Sequence, residues 1–447
     1  MTDPRRDRVD HAEQNDIDDF FSTDRVAGRE EAVELSSDSY RENLIDLNDP
    51  MLADVRGMDY EQFAADRYRA PFLRELLEHW QGLYDEPFVG ITTDGRLVER
   101  LYALPDVPAV DLAPAAAAHA LLALLTPGQR AKLCYSIDAP EWRGWSNPEF
   151  VFFRTGLRLE EQTDEIVRAA LAVVEASLSP AGYERVAEAM ALNGYLGELV
   201  ELPTIMNERS YWFAVFGTPS SDAPWGWQLF GHHVAMSFVS VGGRHVIAPV
   251  FLGAEPALSD DEHLPLFDAR EQLALEFAES LDDAQRERAV VYSSVLDPSM
   301  PEGRLHPADE RHVAGAFRDN RVVPYEGIAG AALTAAQWAK LRAIIDDCLL
   351  LLVDAQRELT LDEVDAHREE THFSWYGATD GSQPFYFRIH SPVLFAELDH
   401  HAGVWLNNRL PARFHVHTTL RMPNGNDYGY ALRKQWKITH DLSSNAG

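Results

Sequence analysis

In the run Phe414-His415-Val416-His417-Thr418-Thr419-Leu420-Arg421 polar and apolar residues largely alternate. A strand turns alternate side chains to one face, so His415, His417, Thr419 and Arg421 share a side, while Phe414, Val416, Thr418 and Leu420 share the other. Two imidazoles at i and i+2 start about 6–7 Å apart, a separation from which both can reach one metal ion. Arg421 has the planar fork that grips a carboxylate or phosphate. The loop that follows can bring Asp427 and Tyr428 to the same rim. The plain alternative is a polar face turned to solvent on an edge strand.

A second histidine-bearing run is Trp225-Gly226-Trp227-Gln228-Leu229-Phe230-Gly231-His232-His233-Val234-Ala235-Met236-Ser237. Read as strand, it sends His232 to the side of Val234, Met236 and Phe238, and His233 to the side of the small residues Ala235 and Ser237, where a bound molecule would fit. A third run, from Phe385 to Glu397, puts Arg388 and His390 on one face and leaves Glu397 inside an apolar strand. A carboxylate there is either paired or functional, because burying it bare is costly.

Together these residues suggest a metal-dependent enzyme acting on a small anionic, carboxylate-bearing molecule, with hydrolysis and oxidation both open. His415, His417 and one of His232 and His233 would bind the metal, with Glu397 as a fourth ligand or general base. Arg421 and Arg388 would hold the anion, Trp225 and Trp227 would wall the pocket, and Asp427 and Tyr428 would line it. The metal would be Zn, Fe, Mn or Cu, all of which accept imidazole with carboxylate. The competing reading is a metal-free small-molecule binding module or a histidine acid/base enzyme. Asp399-His400-His401 and Glu369-Glu370-Thr371-His372 read as a loop flank and a solvated helix end. Gly-x-Ser-x-Gly, Walker-type and Gly-x-Gly-x-x-Gly sequences are absent, so the serine-hydrolase, P-loop and dinucleotide routes have no anchor.

The runs Trp225–Val234, Val250–Pro256 and Phe385–Ile389, with His415-x-His417-x-x-x-Arg421 and Asn426–Gly429, resemble the bacterial and fungal family called domain of unknown function 3500. The resemblance extends over about Tyr60 to Tyr430. It implies membership of that family and brings no assigned mechanism. Cupins also carry His-x-His, but follow it with a glutamate where this chain has Arg421.

The elements that must position these residues fall into blocks. Met1–Asp49 is polar and charged, and reads as a disordered acidic leader. A stripe of Phe72, Leu73, Leu76, Leu77 and Trp80 predicts a helix within Tyr60–Tyr84, and Asp94-Gly95 a hairpin. Val110 to about Leu202 is helical. Strands are expected at Tyr211–Phe216, Trp227–Val241 and His245–Phe251, with Gly242-Gly243 as a turn. Helices follow near Pro265–Leu281, Asp283–Val291 and Thr334–Asp354. Strands return at Phe373–Tyr376, Phe385–His390, Val393–Leu398 and Phe414–Arg421. No internal repeat is evident. The fold class is therefore α+β: a mainly antiparallel sheet assembled from two chain regions and packed with helices, in a single domain over 50–440 with a helical N-terminal half.

Composition narrows the partners. A formal charge of −33 excludes a general nucleic-acid binder, since phosphate neutralisation needs clustered basic residues. No apolar run reaches the roughly 20 residues that span a bilayer, and the N-terminus lacks a signal-like apolar core. Cys134 and Cys348 are too few for a disulfide framework. A cytoplasmic protein that touches neither membrane nor nucleic acid is expected, its oligomeric state open.

Overall fold

The computed structural model describes residues 39–105, 111–260, 265–301, 303–306 and 308–444. Most of the expected leader lies outside these residues. Its last part, from Ser39, is docked: Tyr40 is buried against Leu406, Ala412 and Phe414, and its hydroxyl bonds Tyr195 and Asp260. The leader boundary at Asp49 is thus too late.

Among the described residues, twelve strands form one mostly antiparallel sheet, and the fold is α+β as expected. Eight strands carry the argument: β1 Tyr211–Gly217, β2 Trp225–Gly231, β3 Val234–Val241, β4 Arg244–Ala254, β5 His372–Tyr376, β6 Tyr386–His390, β7 Phe395–His400 and β8 Val416–Arg421. Their spatial order is β1-β2-β3-β4-β8-β7-β6-β5. The two expected β regions therefore join along β4 and β8, which pair antiparallel from Val416↔Ala254 to Leu420↔Val250.

That order reads as two copies of one unit. Each unit begins with a short strand, Leu157–Arg158 or Ile328–Ala329, paired to β1 or β5. Before each stands a glycine with positive φ, Gly156 or Gly327, where an added Cβ would overlap the carbonyl oxygen of Phe213 or Phe373. A two-helix hairpin follows in both, α1 Asp164–Ser177 with α2 Pro180–Leu199, and α3 Ala335–Cys348 with α4 Asp354–Ala366. α1 and α3 each start on a threonine, Thr163 or Thr334, whose hydroxyl accepts an N–H of the first turn, the usual answer to an orphan helix donor. Then come the strands. Gly217 matches Gly377, Pro224 matches Pro384, and the cross-strand pair Gln228↔Ser237 matches Arg388↔Glu397. The repeat is invisible as letters because its glycines, prolines and caps are kept while its side chains differ.

One face of the sheet is covered by the helix hairpins. Trp227 reaches Ser177 of α1 through its indole N–H, and Ser179 binds the Leu350 and Leu351 carbonyls between the two hairpins. Val250, Leu252, Thr418 and Leu420 look to this side, around a small space lined also by Arg185, Arg270 and Asp347. The opposite face carries Phe251, His417, Thr419, Arg421 and Glu397, and is covered by loops, chiefly 308–325 and 401–414. Trp225 and Trp227 pack on Phe238 within the core, so neither walls a pocket as expected. The hairpin expected at Asp94-Gly95 is not formed, and Thr92 instead bridges Val322. No described helix is long and apolar enough to cross a membrane.

Candidate metal centre

Gly231 pairs with Val234 at the end of β2 and β3, so His232 and His233 are the two residues of a tight turn and not part of one strand. His233 has φ +63, a left-handed conformation that costs a non-glycine residue energy. It is held there by two backbone bonds, His233 N–H to Asn147 O (3.2 Å) and Gly253 N–H to His233 O (2.8 Å). The turn brings its imidazole over the centre of the sheet. His232 stacks on it at 3.9 Å and bonds Asn193 Oδ1 through Nδ1 at 2.8 Å, which satisfies it as a structural residue.

β8 supplies the next two groups. His415 and His417 are both buried, and their Nε2 atoms lie 3.0 Å apart. His415 Nδ1 is 2.8 Å from the Ala402 carbonyl oxygen. An oxygen there requires an N–H, so the tautomer is fixed and the Nε2 lone pair faces His417. One ligand atom each from His233, His415 and His417 lies within 4.8 Å of the others. Burial first, and then the neighbouring imidazoles, hold all three well below the ordinary histidine pKa. They are neutral donors at physiological pH, the form a metal needs. Gly253, opposite His417 on β4, leaves them room: a Cβ there would stand 2.7 Å from His417 Cδ2 and 3.1 Å from His233 Cδ2.

Two further histidines arrive from loops. His312 and His401 share a second grouping with His417, again with ligand atoms within 4.8 Å. β7 positions both through its carboxylates. Glu397 accepts from Val313 N–H (3.0 Å), Ala314 N–H (3.2 Å), the Tyr386 hydroxyl (2.6 Å) and the Thr419 hydroxyl (2.9 Å), with His312 Nδ1 at 3.4 Å. Burial alone would raise this carboxyl, but His312, Tyr386 and Val313 bring it down to about 2. In return Glu397 overcomes the burial of His312 and raises its pKa. Asp399 holds Arg311 at 2.6 Å and stands 3.2 Å from His401 Nε2. Glu255, at the end of β4, accepts from the N–H groups of Val404, Trp405 and Leu406, and lies 3.7 Å from His415 Nδ1. Burial outweighs those bonds and pushes it up to about 7.

Several expected roles change here. Glu397 is anchored by four hydrogen bonds, so it is no free ligand or general base. Arg421 is fully buried, with Asp427, Asp319 and the Ala314 and Gly315 carbonyls as partners, and presents nothing to an anion. Arg388 is paired with Glu326 at 2.6 Å. Asp427 serves Arg421, while Tyr428 bonds Asp319 and Trp145 and lines a separate cavity with Phe88 and Trp142. Sequence reading missed His312, Glu310, Arg311, Glu255 and His401. Only Asp399-His400-His401, set aside as a loop flank, carried a usable signal.

A family model described as "Protein of unknown function (DUF3500)" matches residues 110–430. Searches of curated proteins and of solved structures find no match.

Proposed function

Because the chain belongs to the DUF3500 family, a description that assigns no activity, we propose from its own geometry that it is a metal-dependent enzyme acting on a small molecule. The observation that carries this reading is the buried trio His233, His415 and His417, neutral, convergent, and oriented by the Ala402 carbonyl. Burying three imidazoles has a desolvation cost that a shared ion, in place of the 3.0 Å His415–His417 contact, would repay. Metal-ligating histidines regularly rest their other ring nitrogen on a carbonyl or carboxylate. An imidazole set suits Zn, Fe, Mn and Cu alike. Such an ion supplies a Lewis acid for the substrate and lowers the pKa of bound water. The chain itself adds His312, whose Nδ1 stands 3.4 Å from the Glu397 carboxylate and whose Nε2 has no hydrogen-bond partner among the described residues. With Arg388 and Arg421 engaged elsewhere, an anionic substrate would be held by the metal. Two free thiols and no membrane-crossing helix among the described residues fit a cytoplasmic setting.

Elemental analysis of the purified protein tests this directly. Stoichiometric transition metal is expected, lost in His415→Ala and in His417→Ala. Wild-type content in both variants would overturn the reading. The raised pKa of His312 favours a second reading, acid/base catalysis without metal, which would lead if activity survived complete chelation.

A further inference from the structure

We propose that this centre seats two metal ions, the second on His312 and His401, with His417 standing between the seats. The inference rests on the metal reading of the first trio and deepens it. Its first support is geometric: His417 belongs to two groupings, one with His233 and His415, the other with His312 and His401, and each grouping is confined within 4.8 Å.

The second support is the hydrogen-bond pattern. His312 is 2% exposed, yet neither of its ring nitrogens has a hydrogen-bond partner among the described residues. Its Nδ1 faces Glu397 at 3.4 Å, which leaves Nε2 as the outward atom. His401 Nε2 stands 3.2 Å from Asp399, yet it too is buried with no hydrogen-bond partner among the described residues. A buried polar nitrogen without a partner is costly, so even an isolated case is notable. Two carboxylate-backed imidazoles aimed at one neighbourhood form the pattern that orients metal ligands.

The neighbouring grouping of Glu310, Asp399 and His401 is not a third seat. Arg311 already takes both carboxylates, at 2.6 Å for Asp399 and 2.5 Å for Glu310. A cation beside that guanidinium would be repelled by it. Glu310, Arg311 and Asp399 therefore act as a positioning layer behind His401.

Charge then identifies the substrate class. Glu397, Asp399 and Glu310 contribute three negative charges, and Arg311 cancels one. Two dications exceed that balance, so the occupied centre is positive and draws a small oxyanion, such as a carboxylate or phosphate group, between the ions.

The test is metal stoichiometry on the full chain. Chelated protein is dialysed against Zn²⁺ or Co²⁺ and its content measured, with circular dichroism confirming the fold. Two equivalents are expected in the wild type, and one in each of His312→Gln, His401→Gln and His233→Asn. Asp399→Asn should weaken the second equivalent about 10–100-fold. One equivalent in the wild type, unchanged in His312→Gln and His401→Gln, overturns the second seat and leaves the first intact. One equivalent lost in those two variants but kept in His233→Asn overturns the two-seat centre and moves the ion. No binding of either metal overturns both readings.

Discussion

At the scale of single residues, the centre depends on imidazoles that stay neutral while buried. His233, His415 and His417 have depressed pKa values in the fold, whereas in the unfolded chain they titrate near 6.5. Below that pH the unfolded state binds protons that the folded state refuses, so stability falls as pH falls. His232 and His390, each lowered to about 3 by burial, act in the same direction. Glu255, raised to about 7, Asp427, raised to about 6, and the raised His312 act oppositely, because the folded form takes up their protons first. The histidines outnumber them, and each uncompensated one is worth about 1.4 kcal/mol per pH unit. Urea unfolding of metal-free protein should therefore show a clear drop between pH 7.5 and 5.5, and a flat or rising profile would mean that the buried imidazoles are charged. His233 allows ligation to be separated from folding. Asparagine tolerates its left-handed conformation, so His233→Asn should lose one equivalent of metal while changing the metal-free unfolding free energy by no more than about 1 kcal/mol. His415 and His417 were legible from alternation alone. His312 and His401 were not, since loops have no period and their relevance comes from Glu397 and Asp399, which face them only after β7 is in place.

At the scale of elements, the hairpin and its neighbour strand set the centre's dimensions. Gly253 sits where β4 passes closest to the imidazoles, with Val416 O also 2.9 Å from where a Cβ would be. That backbone cannot yield as a side-chain tip can. Gly253→Ala should displace His417, lower metal affinity by tenfold or more, and cost about 1–3 kcal/mol in stability, the range for overpacking a tight core. Metal titration beside thermal unfolding checks it, and wild-type affinity would show that β4 does not set the spacing. The strands themselves were readable from their period of two, and the join between two β regions from their shared pattern. The turn at His232-His233 was not, because two histidines between apolar runs carry none of the Asn-Gly or Gly-Gly chemistry that marks such turns. The duplicated unit was hidden for a related reason. Ser237 and Glu397 hold equivalent positions, as do Gln228 and Arg388, so one copy keeps an ionic face where the other keeps a neutral one.

At the scale of the whole molecule, the proposed ligands come from both copies: His233 from the first, His401, His415 and His417 from the second, and His312 from the stretch between them. A bound ion therefore links the halves, and anything that binds only the native state stabilises it by mass action, about 4.1 kcal/mol when free metal is a thousandfold above its Kd. Chelation should lower the thermal midpoint measurably, with recovery on adding metal back; an unchanged midpoint would place the ion, if any, outside the fold's energetics. Charge patterning in the sequence said nothing of this union. The union also implies an order of events. β8 meets β4 only after nearly all of the second copy has been threaded between them. Closing so long a loop adds little free energy but makes the pairing slow. The turn of β2 and β3 can form early from local contacts, while its partners on β8 arrive last. Ligand capture is then the final step of refolding, and Co²⁺ absorbance should lag behind the recovery of tryptophan fluorescence, a timer written into the seam between two copies of one structural unit.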